Sequence, residues 1–345
     1  MSAGQTWNFD AGDHVAALAW LPDGRKLAVA PAVGGIVLLD CATGEVRRKL
    51  AGHAPANCAL TVSRELLASA GQDGIARLWN TDTGELTHEL RTSDHASDWC
   101  EHAQFSPDGA LLATTAGRTL RIWTRDGERV FENTAHDSTI AALAWRPDSA
   151  GVATGCYNGA QLFRAKGGAW EPQSYEDLRW KGSIISLTWS PNGRYVAGGS
   201  QEATIQFWRL PYRVGEELFM SGYQTKIREL TWDAGSRYLA SGGGEIITVW
   251  DVSGKGPRGT TPKQLEGHDD RITQLAFQQR GPLLASGGTD GRVFVWDLAK
   301  AQRHRQELQP PSAIAALAWS PDDAGLAIGA ADGSVCVWES HAASA

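Results

Sequence analysis

The chain has 345 residues, 42% of them hydrophobic, and a formal net charge of −7 with its 32 basic residues scattered. No apolar run approaches the roughly 18 residues of a membrane-spanning helix, and the opening MSAGQTWNFDAGDH lacks the basic segment and apolar core of a secretory signal. Scattered basic residues on an acidic chain also argue against nucleic acid or an anionic membrane as partner. The five cysteines are odd in number and never spaced CxxC, which fits free thiols in a reducing compartment. A cytoplasmic protein, monomeric on its own, is expected. The excess of Arg over Lys in an Ala- and Gly-rich chain points to a bacterial source.

The first predicted element is a strand over residues 5–11, QTWNFDA. From there the chain repeats. A closing residue recurs at Leu39, Trp79, Trp123, Phe163, Trp208, Trp250, Trp296 and Trp338, at spacings of 40 to 46 residues. A second column about 19 residues upstream holds Trp20, Val62, Phe105, Trp145, Trp189, Trp232, Phe277 and Trp319. The two columns take 11 of the 15 tryptophans, so most of the large aromatic mass belongs to the repeat.

Within each unit, alternating runs such as IAALAW, GLAIG and VCVW are separated by PDG, GG or DG turns. Such runs predict half-buried strands joined by hairpins. A fourth run follows, as in GEVRRKL and GELTHEL, which makes four antiparallel strands per unit. One such unit cannot bury both faces, so neighbours must stack. Residues 165–180 and 252–264 are predicted as expanded loops, and no stretch keeps a helical period. Eight inner three-strand units end at Trp338, but only seven outer strands follow them. Residues 5–11 supply the eighth. The expected fold is all-β: a single eight-bladed β-propeller of four-stranded antiparallel blades, one domain over residues 1–345. The N-terminal strand pairs with the last blade, which ends near residue 339, and closure removes exposed sheet edges.

With these columns in place, the sequence resembles the WD-repeat (WD40) propeller family over nearly its whole length. The carrying residues are Trp250-Asp251 and Trp296-Asp297, the variants Trp79-Asn80 and Trp338-Glu339, and the pairs Gly52-His53 and Gly267-His268. The resemblance implies a buried hydrogen-bond network of loop His, strand Ser or Thr, turn Asp and closing Trp. Two blades match it fully, with His53, Ser69, Asp73 and Trp79, and with His268, Ser286, Asp290 and Trp296. The blade with His136 and Thr154 has Asn158 for the Asp and Phe163 for the Trp; the next has Trp180 and Glu202 at the His and Asp positions. Tyr223 replaces the His in the sixth blade, and the first and last blades lack it. A His beside an Asp and a hydroxyl suggests a hydrolase, but its repetition in two blades favours a structural role that satisfies buried polar groups. No GxSxG, HExxH or P-loop appears, so neither a catalytic residue nor an enzyme is expected, and no cofactor is required.

Departures from the repeat point to function. The largest is SDHASDWCEHAQF in the third blade. Strict alternation puts Asp98, Cys100 and His102 on one strand face, with Asp94 and His95 in the loop before it. These are zinc-type ligand residues, so a zinc site of His95, Asp98, Cys100 and His102 stands beside the plainer reading of a polar patch near the channel mouth. Trp99 and Trp180 fall in loops entering inner strands, on the same rim as Tyr157, Tyr223, Lys226 and Arg271. Exposed aromatic and basic residues of this kind anchor interfaces. Two functions follow: a non-enzymatic scaffold that binds protein or peptide partners on its loop face, or a metal-binding or metal-dependent protein using the third-blade cluster.

Overall fold

The alternating runs all become strands, and the described residues contain no helix. The structure, a computed structural model, describes residues 5–254, 257–299 and 304–339. Five sheets take four strands each in chain order, the first being Val15–Trp20, Lys26–Pro31, Ile36–Asp40 and Val46–Leu50. A sixth joins the two ends of the chain. There Gln5–Asp10 pairs antiparallel with Ser334–Glu339, which continues to Gly325–Ala330 and Ile314–Trp319.

The seventh sheet has seven strands and comprises two fused blades. Its segment Gly151–Lys166 folds back on itself at Tyr157, Asn158 and Gly159, so that the Ala165 N–H reaches the Ala150 carbonyl at 3.3 Å. Asn158 and Gly159 have φ of 72° and 120°, and a Cβ on Gly159 would lie 2.1 Å from the Leu178 carbonyl oxygen. Only glycine fits there. Segment Glu176–Trp189 then supplies both the outer strand of the fourth blade and the inner strand of the fifth.

Eight apolar clusters hold the units together, each drawn from two neighbouring blades. One of them packs Val15, Leu27 and Leu39 of the first blade against Ala327 and Val337 of the last, with Trp7. The inner strands touch in chain order and the last touches the first, which closes the ring. Each fully buried Leu, Val or Phe in these seams contributes about 1.5–3 kcal/mol.

Polar bonds fix the blades in register. The indole N–H groups of Trp145, Trp319 and Trp20 donate to the carbonyls of Gln104, Ala276 and Ala318 in the preceding blade, at 2.9, 3.0 and 2.9 Å. At the turns after the inner strands, Ser149 Oγ accepts the Asp108 N–H and Ser236 Oγ accepts the Asn192 N–H. Asp323 accepts three N–H groups, from Gln279, Arg280 and Gly281. These three clamps belong to the fourth, sixth and eighth blades and have φ near +60°; the first, third and fifth blades carry Gly24, Gly109 and Gly193 in the same left-handed conformation.

One sequence expectation is corrected. Residues 165–180 are no plain loop, because Lys166 pairs with Ala169 and the outer strand starts at Glu176. Trp170 explains the order: its ring packs on Phe131 and Trp145, with centroids 5.4 and 6.0 Å away. Of residues 252–264, only Lys263 and Gln264 join a strand, while residues 255–256 lie outside the described residues.

Candidate functional site

In the second blade, His53 Nε2 lies 2.8 Å from Ser69 Oγ and Nδ1 lies 2.8 Å from Asp73 Oδ1, while the Trp79 indole N–H donates to Ser69 Oγ at 3.0 Å. A chain of donors follows: Trp79 to Ser69, Ser69 to His53, His53 to Asp73. Burial lowers the His53 pKa against the pull of Asp73, so the imidazole is neutral and its Nε2 accepts. Burial alone would raise the Asp73 carboxyl, but His53 and Arg77 bring it below its ordinary value. The seventh blade repeats the arrangement. His268 meets Ser286 at 2.8 Å and Asp290 at 2.9 Å, and Trp296 donates to Ser286 at 2.9 Å.

The degenerate blades solve the same problem differently. In the fourth, His136 keeps Thr154 at 2.9 Å and gives its Nδ1–H to the Arg118 carbonyl at 3.0 Å; Asn158 bonds to Asp137 instead. In the sixth, the Tyr223 hydroxyl bonds to Ser241 and receives the Trp250 indole N–H, both at 2.9 Å. Tyr223 was expected on the partner-binding rim. Its polar end is committed to the blade interior, so that placement is corrected.

All six rim candidates precede an inner strand or lie at the turn after the second strand of a blade, which antiparallel pairing places on one face. Trp99 and Tyr157 are each 49% exposed there. Arg271 is exposed and Lys226 half-buried. Trp180 is half-buried with its ring centroid 6.3 Å from that of Phe219, which is 63% exposed. Sequence reasoning missed Phe219, because an aromatic in an outer strand reads as packing; this strand, Leu218–Met220, is only three residues long.

The third-blade cluster does not assemble. Cys100 pairs with Ala116 and His102 with Thr115, so a β-bulge at Glu101 breaks the alternation and sends the two side chains to opposite faces. Cys100 is wholly buried among Ala70, Leu78 and Leu112, and burial pushes its thiol up to about 12. His102 turns toward the backbone of Ala141, and burial lowers its pKa. Asp98 accepts the Ser93 hydroxyl at 2.7 Å, Asp94 pairs with Arg121 at 2.8 Å, and His95 is exposed. Among the described residues no group of three or more His, Cys, Asp and Glu side chains is placed to hold a metal ion. The bulge recurs at the same point in five further inner strands, at Val15/Ala17, Asn57/Ala59, Ile184/Ser186, Ile272/Gln274 and Ile314/Ala316. Its second residue can reach the next blade: Ser186 donates to the Ile227 carbonyl and Gln274 to the Ala315 carbonyl.

The model of the WD domain, G-beta repeat, matches residues 44–80, 84–124, 127–160, 177–209, 259–297 and 303–339. The chain belongs to the WD40 repeat family. A model of the anaphase-promoting complex subunit 4 WD40 domain also matches residues 1–61. Among curated relatives, this WD40 chain is 31% identical over 171 residues to cell division cycle 20.1, cofactor of APC complex, of Arabidopsis thaliana, covering 47% of this chain and 36% of that one. It is 27% identical to apoptotic protease-activating factor 1 of Danio rerio (82% and 22% covered) and 24% identical to the WD repeat-containing protein srw1 of Schizosaccharomyces pombe (84% and 44%). The chain thus spans less than half the length of these relatives. The computationally designed protein Ika8 shares the fold, with a TM-score of 0.79 and 24% identity over 96% of this chain and 98% of the other. No helix among the described residues is long and apolar enough to cross a membrane.

Proposed function

We infer that this WD40 chain is a non-enzymatic scaffold, a single domain that is monomeric on its own and cytoplasmic. It docks protein or peptide partners on the face bearing Trp99, Tyr157, Trp180 and Arg271. The observation that carries this reading is the exposure of Trp99 and Tyr157, each 49%, on a face whose frame is pinned by buried networks. Large rigid aromatics contribute contact area at low entropic cost, and loops on a fixed scaffold can vary without disturbing it. A relative described as a cofactor of a multiprotein complex agrees with partner binding. The His–Ser and His–Asp contacts occur in two separate blades and are enclosed, which suits structure and not turnover. Capture of partners from native extract, with wild type and the Trp99→Ala, Tyr157→Ala double variant, tests this. A partner held by the wild type should be lost from a variant that melts normally; identical capture by both would move the binding face elsewhere.

A further inference from the structure

The third blade lacks the loop histidine and holds that loop with a buried guanidinium. His53 and His268 lie four residues before their inner strands, where this blade has Ala96. Arg121, two residues before Trp123, is only 2% exposed. Its Nε donates to Glu132 at 2.5 Å, its Nη1 to the Arg91 carbonyl at 2.6 Å and its Nη2 to Asp94 at 2.8 Å. Arg77, two residues before Trp79, serves Glu89 and Asp73 of its own blade. Arg121 also reaches out of its blade, to the outer strand of the second at Arg91 and to the following loop at Asp94. From Asp94 the fastening runs on to Trp99. The neighbouring Ser93 donates its hydroxyl to Asp98 at 2.7 Å and accepts the His95 N–H at 3.1 Å. Asp98 lies between two left-handed glycines: a Cβ on Gly74 would lie 2.6 Å from its carbonyl oxygen, and one on Gly117 2.6 Å from its carboxylate. The next residue, Trp99, is the one exposed tryptophan among the described residues.

We propose that Arg121 is a positioning residue for partner docking, fixing residues 94–99 so that the Trp99 ring is held out in one pose. This rests on the reading of that face as the docking face. Taking a guanidinium out of water is costly, and a well-packed apolar side chain of similar volume often serves stability as well. Here the charge does what an apolar side chain cannot. Between the buried Ser93 and Cys100 no residue is buried, so the loop has no apolar anchor and depends on its polar fastenings. A loop already held in its bound form loses less freedom on association, which leaves more of the contact energy as affinity. Arg121 is enclosed and acts only through the loop, whereas Asp94, with 79% of its side chain exposed, is reached from both sides.

The test uses the full chain labelled with fluorotryptophan, its Trp99 line assigned with Trp99→Phe. Short random peptides displayed on phage are selected on the wild type as docking probes, and those that fail to bind Trp99→Ala are kept. Arg121→Met should broaden or split the Trp99 line, speed amide exchange at His95 and Asp98 several-fold and raise the Kd of the kept peptides several-fold. The lines of Trp20 and Trp319, in the first and eighth blades, should stay in place. Asp94→Ala changes a surface residue and should reproduce these effects if Arg121→Met fails to fold. The double variant should be no worse than Arg121→Met alone, because both act through one contact. Peptides that all bind Trp99→Ala unchanged would refute the docking face, and the proposal with it. Peptides that need Trp99 but bind both variants with the wild-type Kd, or a Trp99 line that neither variant alters, would overturn the role of Arg121 alone.

Discussion

The indole N–H of Trp7 donates to the carbonyl of Cys41 at 2.6 Å, so the strand that completes the last blade is bonded to the first. Trp7 is buried against Gly44, where a Cβ would lie 2.8 Å from its ring. This one side chain covers the seam where the two ends of the chain meet. Trp7→Ala should cost about 3–5 kcal/mol, the usual range for an emptied aromatic site. Trp7→Phe keeps most of the packing and should cost only about 1 kcal/mol for the lost bond. Deleting residues 1–12 should open the ring and bring aggregation or loss of cooperative melting. A deleted form that stays monomeric with the wild-type melting curve would refute the closure.

The two full networks respond to deletion of any member, because Ser and His each accept from one neighbour and donate to the next, between the donor Trp and the acceptor Asp. Asp290→Ala leaves the His268 Nδ1–H without its acceptor, and Ser69→Ala leaves the Trp79 indole N–H and the His53 Nε2 unpaired. Each should lower unfolding free energy by about 1–3 kcal/mol in denaturant melts. Asn158→Gly in the fourth blade is the contrast. His136 uses the Arg118 carbonyl and not Asn158, and glycine relieves a φ of 72°, so stability should hold within about 0.5 kcal/mol. Equal losses at Asp290 and Asn158 would show that the network contributes nothing beyond its turn.

Acid should unfold the ring through its histidines. Burial takes His136 from the ordinary 6.5 down to about 4, and His53 and His268 are lowered by burial as well. The sign follows from proton uptake: between pH 6.5 and 4 the unfolded chain binds a proton at His136 that the folded chain refuses. The contribution is complete above pH 6.5 and is lost as pH falls through 4, about 3 kcal/mol for His136. His136→Gln should flatten the pH dependence of unfolding in that window. A His136 ring that titrates near 6.5 in the folded protein, followed by NMR, would contradict this.

The repeat, the blade count and the closing strand were all legible, since they depend on large residues recurring at fixed intervals and on turn chemistry. The third-blade site was not. Alternation predicts Cys100 and His102 on one face, but a bulge at Glu101 reverses it, and no residue type marks a bulge whose extra position is Cys58 in one blade and Thr273 in another. Tyr223 was misplaced for a related reason. A tyrosine at a loop position reads equally as an anchor or as a substitute for histidine, and only its bonds to Ser241 and Trp250 decide. The Trp20 bond to Ala318 spans 298 positions and involves a main-chain acceptor, which carries no sequence signal at all.

The turn clamps permit a prediction in which two effects oppose each other. Ser149 and Asp323 both hold a left-handed backbone, with φ of 60° and 61°, which costs an L residue roughly 1–2 kcal/mol relative to glycine. Ser149 gives the third blade one hydrogen bond, at 3.0 Å from the Asp108 nitrogen. Replacing it with glycine removes about 1 kcal/mol of bonding and a similar amount of strain, so Ser149→Gly should be close to neutral. Asp323 gives the seventh blade three bonds, at 2.7, 2.8 and 2.9 Å, to consecutive N–H groups of one turn. The strain relieved by Asp323→Gly is the same, but three charge-assisted hydrogen bonds are lost, and water replaces them only in part at this half-buried site. A net loss of about 1–3 kcal/mol is expected, together with faster hydrogen exchange at Gln279, Arg280 and Gly281 and unchanged exchange at the Asp108 turn. Equal stabilities for the two glycine variants would mean that the clamps follow blade packing and do not contribute to it.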